Sequence, residues 1–348
     1  MPSRVKSLLL SPLYAAQLFT GYKSFTDNPL LGSTRLNQRG LHARRVATAY
    51  KMAEWRRAQL ESRIPEADRA EFAQNGFVLK KNFLPDDVFS RLKAEINGLS
   101  APARDMIQGD TVTRRIALEP KLLGTLPATQ AMLHSDEWRD LMNYVASYDM
   151  EPVYYVQSIL SQVRDSKPDP QTALHADTFH PNLKAWFFLH DVAEDEGPFV
   201  YAPGSHRATP RRLAWEKRKS LEIAKGGDRL SRRGSLRIDP AALKRLGYGE
   251  PQAFAVPGNT LVVADTYGFH ARGLSARPSV RIEIWAYGRR NPFLPWLGFD
   301  PWSLPGLKGR KAPIVWAMDD MLSRFGLGRQ SWKSVGYLKP DSPSPLVE

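Results

Sequence analysis

Apolar residues recur in two rhythms along the chain, and the change falls near Glu151-Pro152. Before that point the spacing is mostly helical. Leu41, Val46, Ala49, Met52, Trp55 and Leu60 return among Arg and Lys at the interval of a helix over 41–63, and Pro65 closes it. Ala67–Gln74 predicts a short helix stopped by Gly76, followed by the strand Phe77-Val78-Leu79-Lys80. Pro85-Asp86-Asp87 opens a helix through Ile96, its acidic pair in the first turn, where the macrodipole favours negative charge. Residues 104–125 read as strands and turns, and 128–147 as one more helix, containing Trp138 and Leu141.

After Pro152 the pattern turns to short β-rich stretches: Val153–Ser161, Thr172–Asp177, Ala185–Val192, Phe199–Ala202, Thr260–Ala264 and Ser279–Tyr287. Turns such as Glu196-Gly197-Pro198, Pro203-Gly204-Ser205 and Pro257-Gly258-Asn259 separate them. Short strands so punctuated predict a sandwich or barrel rather than a doubly wound parallel sheet. A basic helical insertion over 208–245 interrupts them. The tail holds Pro295-Trp296-Leu297-Gly298-Phe299-Asp300-Pro301-Trp302, too rich in Pro and Gly for a helix interior. Three parts follow: a basic, partly helical extension over 1–65, a mainly β domain with flanking helices over 66–290, and a Pro/Trp-rich extension over 291–348.

Composition narrows the chemistry. With no cysteine among 348 residues, disulfides, Cys-ligated zinc, iron–sulfur clusters and thiol catalysis are excluded, so a metal site must use His, Asp and Glu. The net charge of +13 is local: residues 1–65 and residues 207–237 each carry eleven Lys/Arg against three Asp/Glu. Such segments suit an anionic partner or two solvated basic helices. The start, Ser3-Arg4-Val5-Lys6 followed by Leu8-Leu9-Leu10, superficially resembles a signal peptide. Pro12 and Gln17 interrupt it and no cleavage pattern follows, so it reads as a retained surface-seeking segment. No run of eighteen apolar residues is present. A cytoplasmic protein is expected, with peripheral contact to anionic membrane if the basic segment and the Trp296/Phe299/Trp302 cluster act together.

The chemistry centres on His175-Ala176-Asp177, an imidazole and a carboxylate two residues apart. On a strand both would point to one face. A His-x-Asp pair can be a hydrogen-bonded structural pair, but with one more imidazole it becomes the two-histidine, one-carboxylate set that holds non-haem Fe(II) with positions open. Of the six other histidines, His270 is the best third ligand: it sits in a loop after the strand Leu261–Asp265. Eleven residues on, Arg281 opens a strand in which Arg281, Glu283, Trp285 and Tyr287 share a face. Its guanidinium could take a carboxylate through two parallel hydrogen bonds. His180 is a weaker substrate-contact candidate, His206 reads as a turn cap, and Lys184 and Trp186 are placed to face a site mouth.

The ordered series His175-x-Asp177, Glu196–Arg207, Pro257-Gly258-Asn259, His270 and Arg281, with Asn75–Leu79 and Leu84-Pro85-Asp86 ahead of it, resembles the phytanoyl-CoA dioxygenase family of Fe(II)/2-oxoglutarate-dependent oxygenases over roughly 66–290. The resemblance implies a double-stranded β-helix, the jelly-roll or cupin-like core, with the metal at one mouth. It implies His175, Asp177 and His270 as metal ligands and catalytic centre, with Arg281 on the far carboxylate of 2-oxoglutarate. Gln157 is a further co-substrate contact. Where relatives carry a hydroxyl residue two places after the distal histidine, this chain has Arg272, which with Arg277 becomes a helper or substitute. The implied reaction consumes 2-oxoglutarate and O2, releases succinate and CO2, and hydroxylates a C–H bond of a small-molecule or lipid-like substrate. Asp177 favours hydroxylation over halogenation, since halogenating relatives have a small residue there. Two other classes stand against it: a non-catalytic binding or scaffold protein on the same fold, and a nucleic-acid oxidising enzyme. The intact four-residue set disfavours the first, and the lack of any nucleic-acid motif the second.

Overall fold

A computed structural model describes residues 11–328 and 330–347. Residues 1–10, with the signal-like Ser3–Leu10 stretch, lie outside the described residues. Eleven strands carry the fold: β1 Phe77–Lys80, β2 Ala101–Gln108, β3 Thr111–Ala117, β4 Val153–Ser161, β5 Leu183–Phe188, β6 Phe199–Tyr201, β7 Gln252–Phe254, β8 Thr260–Asp265, β9 His270–Arg272, β10 Ser279–Gly288 and β11 Lys333–Leu338. They form an eight-stranded sheet in the order β1-β8-β5-β10-β4-β3-β2-β11 and a three-stranded sheet β7-β6-β9, every pairing antiparallel. The mainly β architecture with flanking helices expected from the pattern is the observed one.

Period-two alternation divides the large sheet's side chains between two cores. One face, with Val156, Ala185, Phe187, Val263, Ile282, Ile284 and Ala286, is covered by the helices around Trp138, Leu141 and Leu92. The other turns Tyr155, Trp186, Phe188, Val262 and Trp285 toward Phe199, Tyr201 and Phe254 of the small sheet. On this second face the register lines up Arg115 with Gln157, Gln157 with Glu283, and Glu283 with Phe188. A polar rank thus crosses the interior of an otherwise aromatic layer.

Several elements differ from expectation. The Thr172–Asp177 strand is absent: residues 170–172 form a 3-10 turn, and His175 joins the sheet only as an isolated bridge to His270 and Arg237. Asp169 caps that turn through the Gln171 amide, which starts a turn where the apolar pattern alone suggested extension. The helix of 128–147 is two, Pro127–His134 and Asp136–Ala146, because Ser135 leaves helical geometry and caps the second through the Trp138 amide. The stretch Ala185–Val192 ends as a strand at Phe188, and His270 lies in a strand rather than a loop. Residues 208–245 are helical as expected, in three pieces. The 291–348 segment supplies a helix, Lys311–Arg324, and an edge strand on β2.

The basic segments are solvated only in part: most Lys and Arg of 207–237 are exposed, but four arginines of the two segments turn inward. Arg45, Arg56 and Arg57 on the Leu41–Ala58 helix are buried, as is Arg212 on Pro210–Lys225. Each is spent inside the protein: Arg56 on Ser147, Pro292 and Leu294 carbonyls, Arg212 on Glu216 and the Ser205 and Tyr267 carbonyls. No helix among the described residues is long and apolar enough to cross a membrane.

Candidate active site

The strand β9 brings His270 opposite His175, and the two exchange both backbone hydrogen bonds at 2.9 Å. Their rings face each other with centroids 4.5 Å apart. Each ring is oriented from behind: His175 Nδ1 contacts Ala173 O at 2.8 Å and His270 Nδ1 contacts Gly268 O at 2.9 Å. A carbonyl can only accept, so both Nδ1 atoms carry the proton and both Nε2 lone pairs are left pointing inward. That is how a metal-ligating histidine is usually oriented.

Asp177 closes the triangle. Its carboxylate oxygens lie 3.7 Å from His175 Nε2 and 3.6 Å from His270 Nε2. Donor atoms of the three residues all fall within 4.8 Å of one another, and they are the one such group among the described residues. His270 Nε2 and Asp177 Oδ2 are buried without a hydrogen-bond partner, an arrangement that costs free energy unless something binds there. Lys184 Nζ stands 2.6 Å from Asp177 Oδ2 as an ion pair without directed hydrogen-bond geometry. Burial would raise the Asp177 pKa, but the Lys184 ammonium holds it well below the usual carboxylate range. Burial and then the neighbouring His270 push His175 well below the ordinary imidazole value. One anionic carboxylate and neutral imidazole nitrogens make the donor set a divalent transition metal takes, so the residues fit non-haem Fe(II).

A cavity of ≈ 180 Å³ holds the three together with Thr113, Arg115, Gln157, Lys184, Trp186, Arg272, Arg281 and Trp285. Arg281 Nε donates to Glu283 at 2.9 Å and Nη1 to the Gly197 carbonyl, and Nη2 has no partner among the described residues. Gln157 reaches the same cavity with both ends engaged: its Oε1 accepts from Arg115 and its Nε2 donates to Glu283. Arg272 is tied to Asp169 at 2.5 Å and to Thr113. Arg277 is not brought to the site; it pairs with Asp195 and Glu196 at the surface. His180 is buried with Nδ1 on the Pro181 carbonyl, outside the cavity lining. His206 packs against Phe72, and its Nδ1 has no hydrogen-bond partner, so it does not cap its turn through that atom.

Two cations escaped the sequence reading. Arg115 lies among Tyr155, Trp285 and Trp332 with no acidic partner among the described residues, and burial lowers its pKa to about 10. Strand alternation over Thr111–Ala117, which puts Thr113 and Arg115 on one face, was the signal available for it. Lys23 donates to the Asp177 backbone carbonyl from 154 residues away, and no local pattern announces that contact.

No curated protein matches the sequence. Among solved structures the chain is similar to the epimerase SnoN in complex with Fe3+, alpha ketoglutarate and nogalamycin RO, at 18% identity and TM-score 0.43, over 71% of this chain and 92% of that one. It is similar to HygX from Streptomyces hygroscopicus with nickel and 2-oxoglutarate bound, at 15% and 0.40, over 70% and 94%. EctD from S. alaskensis with 2-oxoglutarate and 5-hydroxyectoine is comparable, at 14% and 0.40, over 69% and 83%. The phytanoyl-CoA dioxygenase (PhyH) family model matches residues 72–245, a stretch that contains His175 and Asp177 and stops short of His270 and Arg281. The chain belongs to this family of Fe(II)- and 2-oxoglutarate-dependent oxygenases.

Proposed function

We propose that the protein hydroxylates a C–H bond of a small-molecule or lipid-like substrate, with His175, Asp177 and His270 as the metal ligands. The observation that carries this is the pair of imidazoles with Nδ1 pinned and Nε2 aimed at the Asp177 carboxylate, in the cavity that also holds Arg281. Bound there, iron(II) supplies oxygen activation coupled to conversion of 2-oxoglutarate and O2 to succinate and CO2. The remaining work falls to the chain's own residues.

Arg281 is the anchor for the far carboxylate of 2-oxoglutarate, because Nη2 is free while Glu283 and Gly197 fix the rest of the guanidinium. Gln157 supports that anchor through Glu283, and Arg115 and Arg272 give the same wall further positive charge. Trp186, Phe199 and Trp285 line the cavity with apolar surface and exclude water from it. A larger cavity of ≈ 1140 Å³ adjoins this one, with Met106 and Gln108 lining both. It is the route by which a substrate larger than 2-oxoglutarate reaches the centre. Asp177 keeps a carboxylate where a halogenating enzyme needs a vacant ligand position, which favours hydroxylation.

Anaerobic addition of Fe(II) and 2-oxoglutarate to the purified protein should give a weak visible charge-transfer band, and admission of O2 should release succinate. Absence of both removes the proposed activity. Capture of halide into product, rather than hydroxyl, would overturn the hydroxylase assignment alone.

A further inference from the structure

Five consecutive backbone carbonyls, Leu18 to Tyr22, are each held by a side chain from elsewhere in the chain. Arg45, on the Leu41–Ala58 helix, donates to Leu18 O, Thr20 O and Tyr22 O at 2.9, 2.8 and 2.9 Å. Asn291 Nδ2 takes Phe19 O at 3.0 Å, and Arg289 Nη2 takes Gly21 O at 2.5 Å. At Gly21 a Cβ would lie 3.3 Å from His180 Nε2 and 3.5 Å from Arg289 Nη2, so the segment is pressed against the loop that follows Asp177. The next residue in this strap is Lys23.

Lys23 Nζ donates to the Asp177 carbonyl. Its own backbone is fitted from behind: Gly234 has φ +86, and a Cβ there would stand 2.4 Å from Lys23 O. Two residues on, Phe25 N donates to Arg232 O at 2.9 Å. The strap therefore fixes both the main chain of Lys23 and the direction of its side chain.

What Lys23 grips matters because Asp177 has no strand ladder to hold it. His175 is paired only through an isolated bridge, and the chain leaves extended pairing after it. The Asp177 amide donates to Thr266 O at 2.9 Å, which fixes the peptide plane on its N-terminal side. On the C-terminal side the carbonyl has Lys23. Lys184 meets the carboxylate itself. A half-buried ammonium is retained only where its desolvation is offset, and here the compensating groups are the carbonyl and the carboxylate field of Asp177.

We propose that Lys23 is a positioning residue of the metal centre, which holds the Asp177 carboxylate in the orientation set by the two imidazoles. The N-terminal segment is thereby part of the active site, although it lies outside the 72–245 stretch that matches the family. This inference rests on His175, Asp177 and His270 binding a metal.

The test is Ni(II) titration of the metal-free full-length protein by calorimetry, without 2-oxoglutarate, so that turnover plays no part. Lys23→Met should weaken Ni(II) binding about tenfold or more, the scale of losses when an outer partner of a metal ligand is removed. The visible spectrum of the Co(II)-loaded variant should shift, and Lys23→Arg should recover part of the affinity. Gly234→Ala displaces the Lys23 backbone while keeping its ammonium, and should weaken binding by a smaller factor; it serves if Lys23→Met does not fold. Wild-type Ni(II) affinity with an unchanged Co(II) spectrum in the folded Lys23 or Gly234 variants overturns the proposal. Asp177→Ala, run alongside, separates the two levels. If it binds Ni(II) as wild type does, the metal centre and this inference fall together. If it loses binding while Lys23→Met keeps it, only the role of Lys23 falls.

Discussion

Asp265 and His270 stand five residues apart at the β8–β9 turn, both buried, and their polar atoms have opposite fates. Asp265 is saturated: Oδ1 accepts from the Asn182 and Tyr267 amides at 3.0 Å each, and Oδ2 from Arg57 at 3.1 Å. Arg57 is saturated in turn, by Glu54 and the Tyr144 and Val145 carbonyls. His270 keeps Nε2 bare, facing an Asp177 oxygen that no hydrogen bond satisfies. The first cluster closes on itself and needs nothing else. The second leaves a buried imidazole nitrogen open to a ligand. Unpartnered buried atoms occur elsewhere too, at Trp138 Nε1 and Tyr267 Oη for example, but at the triad two from different parts of the chain face each other across 3.6 Å. Convergence of unsatisfied groups, rather than burial of charge as such, separates site from scaffold here.

The sharpest way to break this contrast is at Asp177. Asp177→Ala removes the carboxylate of the proposed metal site and should abolish succinate release and Ni(II) binding, while the metal-free protein loses less stability to urea than an Arg57→Leu variant does, because the Lys184 ion pair is all that goes with the carboxylate. A large stability loss without loss of metal binding would place Asp177 with the scaffold. Arg57→Leu should do the reverse. It leaves Asp265 buried and unpaired, at a cost of about 3–5 kcal/mol measured by urea unfolding. Burial already holds the Asp265 pKa above its ordinary value against the pull of Arg57, so without the guanidinium it rises further and the stability loss should shrink as pH is lowered.

The same contrast explains what could be read from the chain. His175, Asp177, His270 and Arg281 were legible because each sits at a fixed place in an ordered series, and the structure gathers all four in one cavity. Strands β1, β4 and β10 were legible because each is a short run rich in β-branched and aromatic residues, a pattern that decides them locally. The strand around His175 was misread, since Thr172–Asp177 has the right composition but its pairing partners are His270 and Arg237, far along the chain. Helix-bound arginines misled in the other direction. Arg45, Arg56, Arg57 and Arg212 look like a basic surface in sequence, and only tertiary contacts show that their donors are spent on carbonyls and carboxylates. Lys23 and Arg115 were missed for the same reason: a guanidinium or ammonium does not reveal in sequence which acceptor it meets.

Arg281 tests the boundary inside the cavity, because one nitrogen is free while the others are engaged. Arg281→Gln should weaken 2-oxoglutarate binding by about 1.5–3 kcal/mol, roughly ten- to a hundredfold, the range for hydrogen bonds to a charged group. Ni(II) affinity should stay at the wild-type value, since no metal ligand is touched. A calorimetric titration of 2-oxoglutarate into the Ni(II)-loaded variant reads the effect. An unchanged value would move the carboxylate anchor to Arg115 or Arg272.

Gln157 gives the smallest expected effect and the finest discrimination. It lines the same cavity as Arg281, and the sequence nominated it as a co-substrate contact. Yet its Oε1 is taken by Arg115 at 2.9 Å and its Nε2 by Glu283 at 2.7 Å. If saturation marks scaffold, Gln157→Leu belongs with Arg57 rather than with Arg281. Arg115 then loses the hydrogen-bond acceptor of its Nε, and Glu283 keeps Arg281 alone, so unfolding free energy should fall by about 1–3 kcal/mol. Affinity of the Ni(II)-loaded protein for 2-oxoglutarate should move by less than about threefold, under 0.7 kcal/mol. The opposite result, intact stability with a tenfold weaker co-substrate, would show that Gln157 turns its amide to the ligand when the cavity fills.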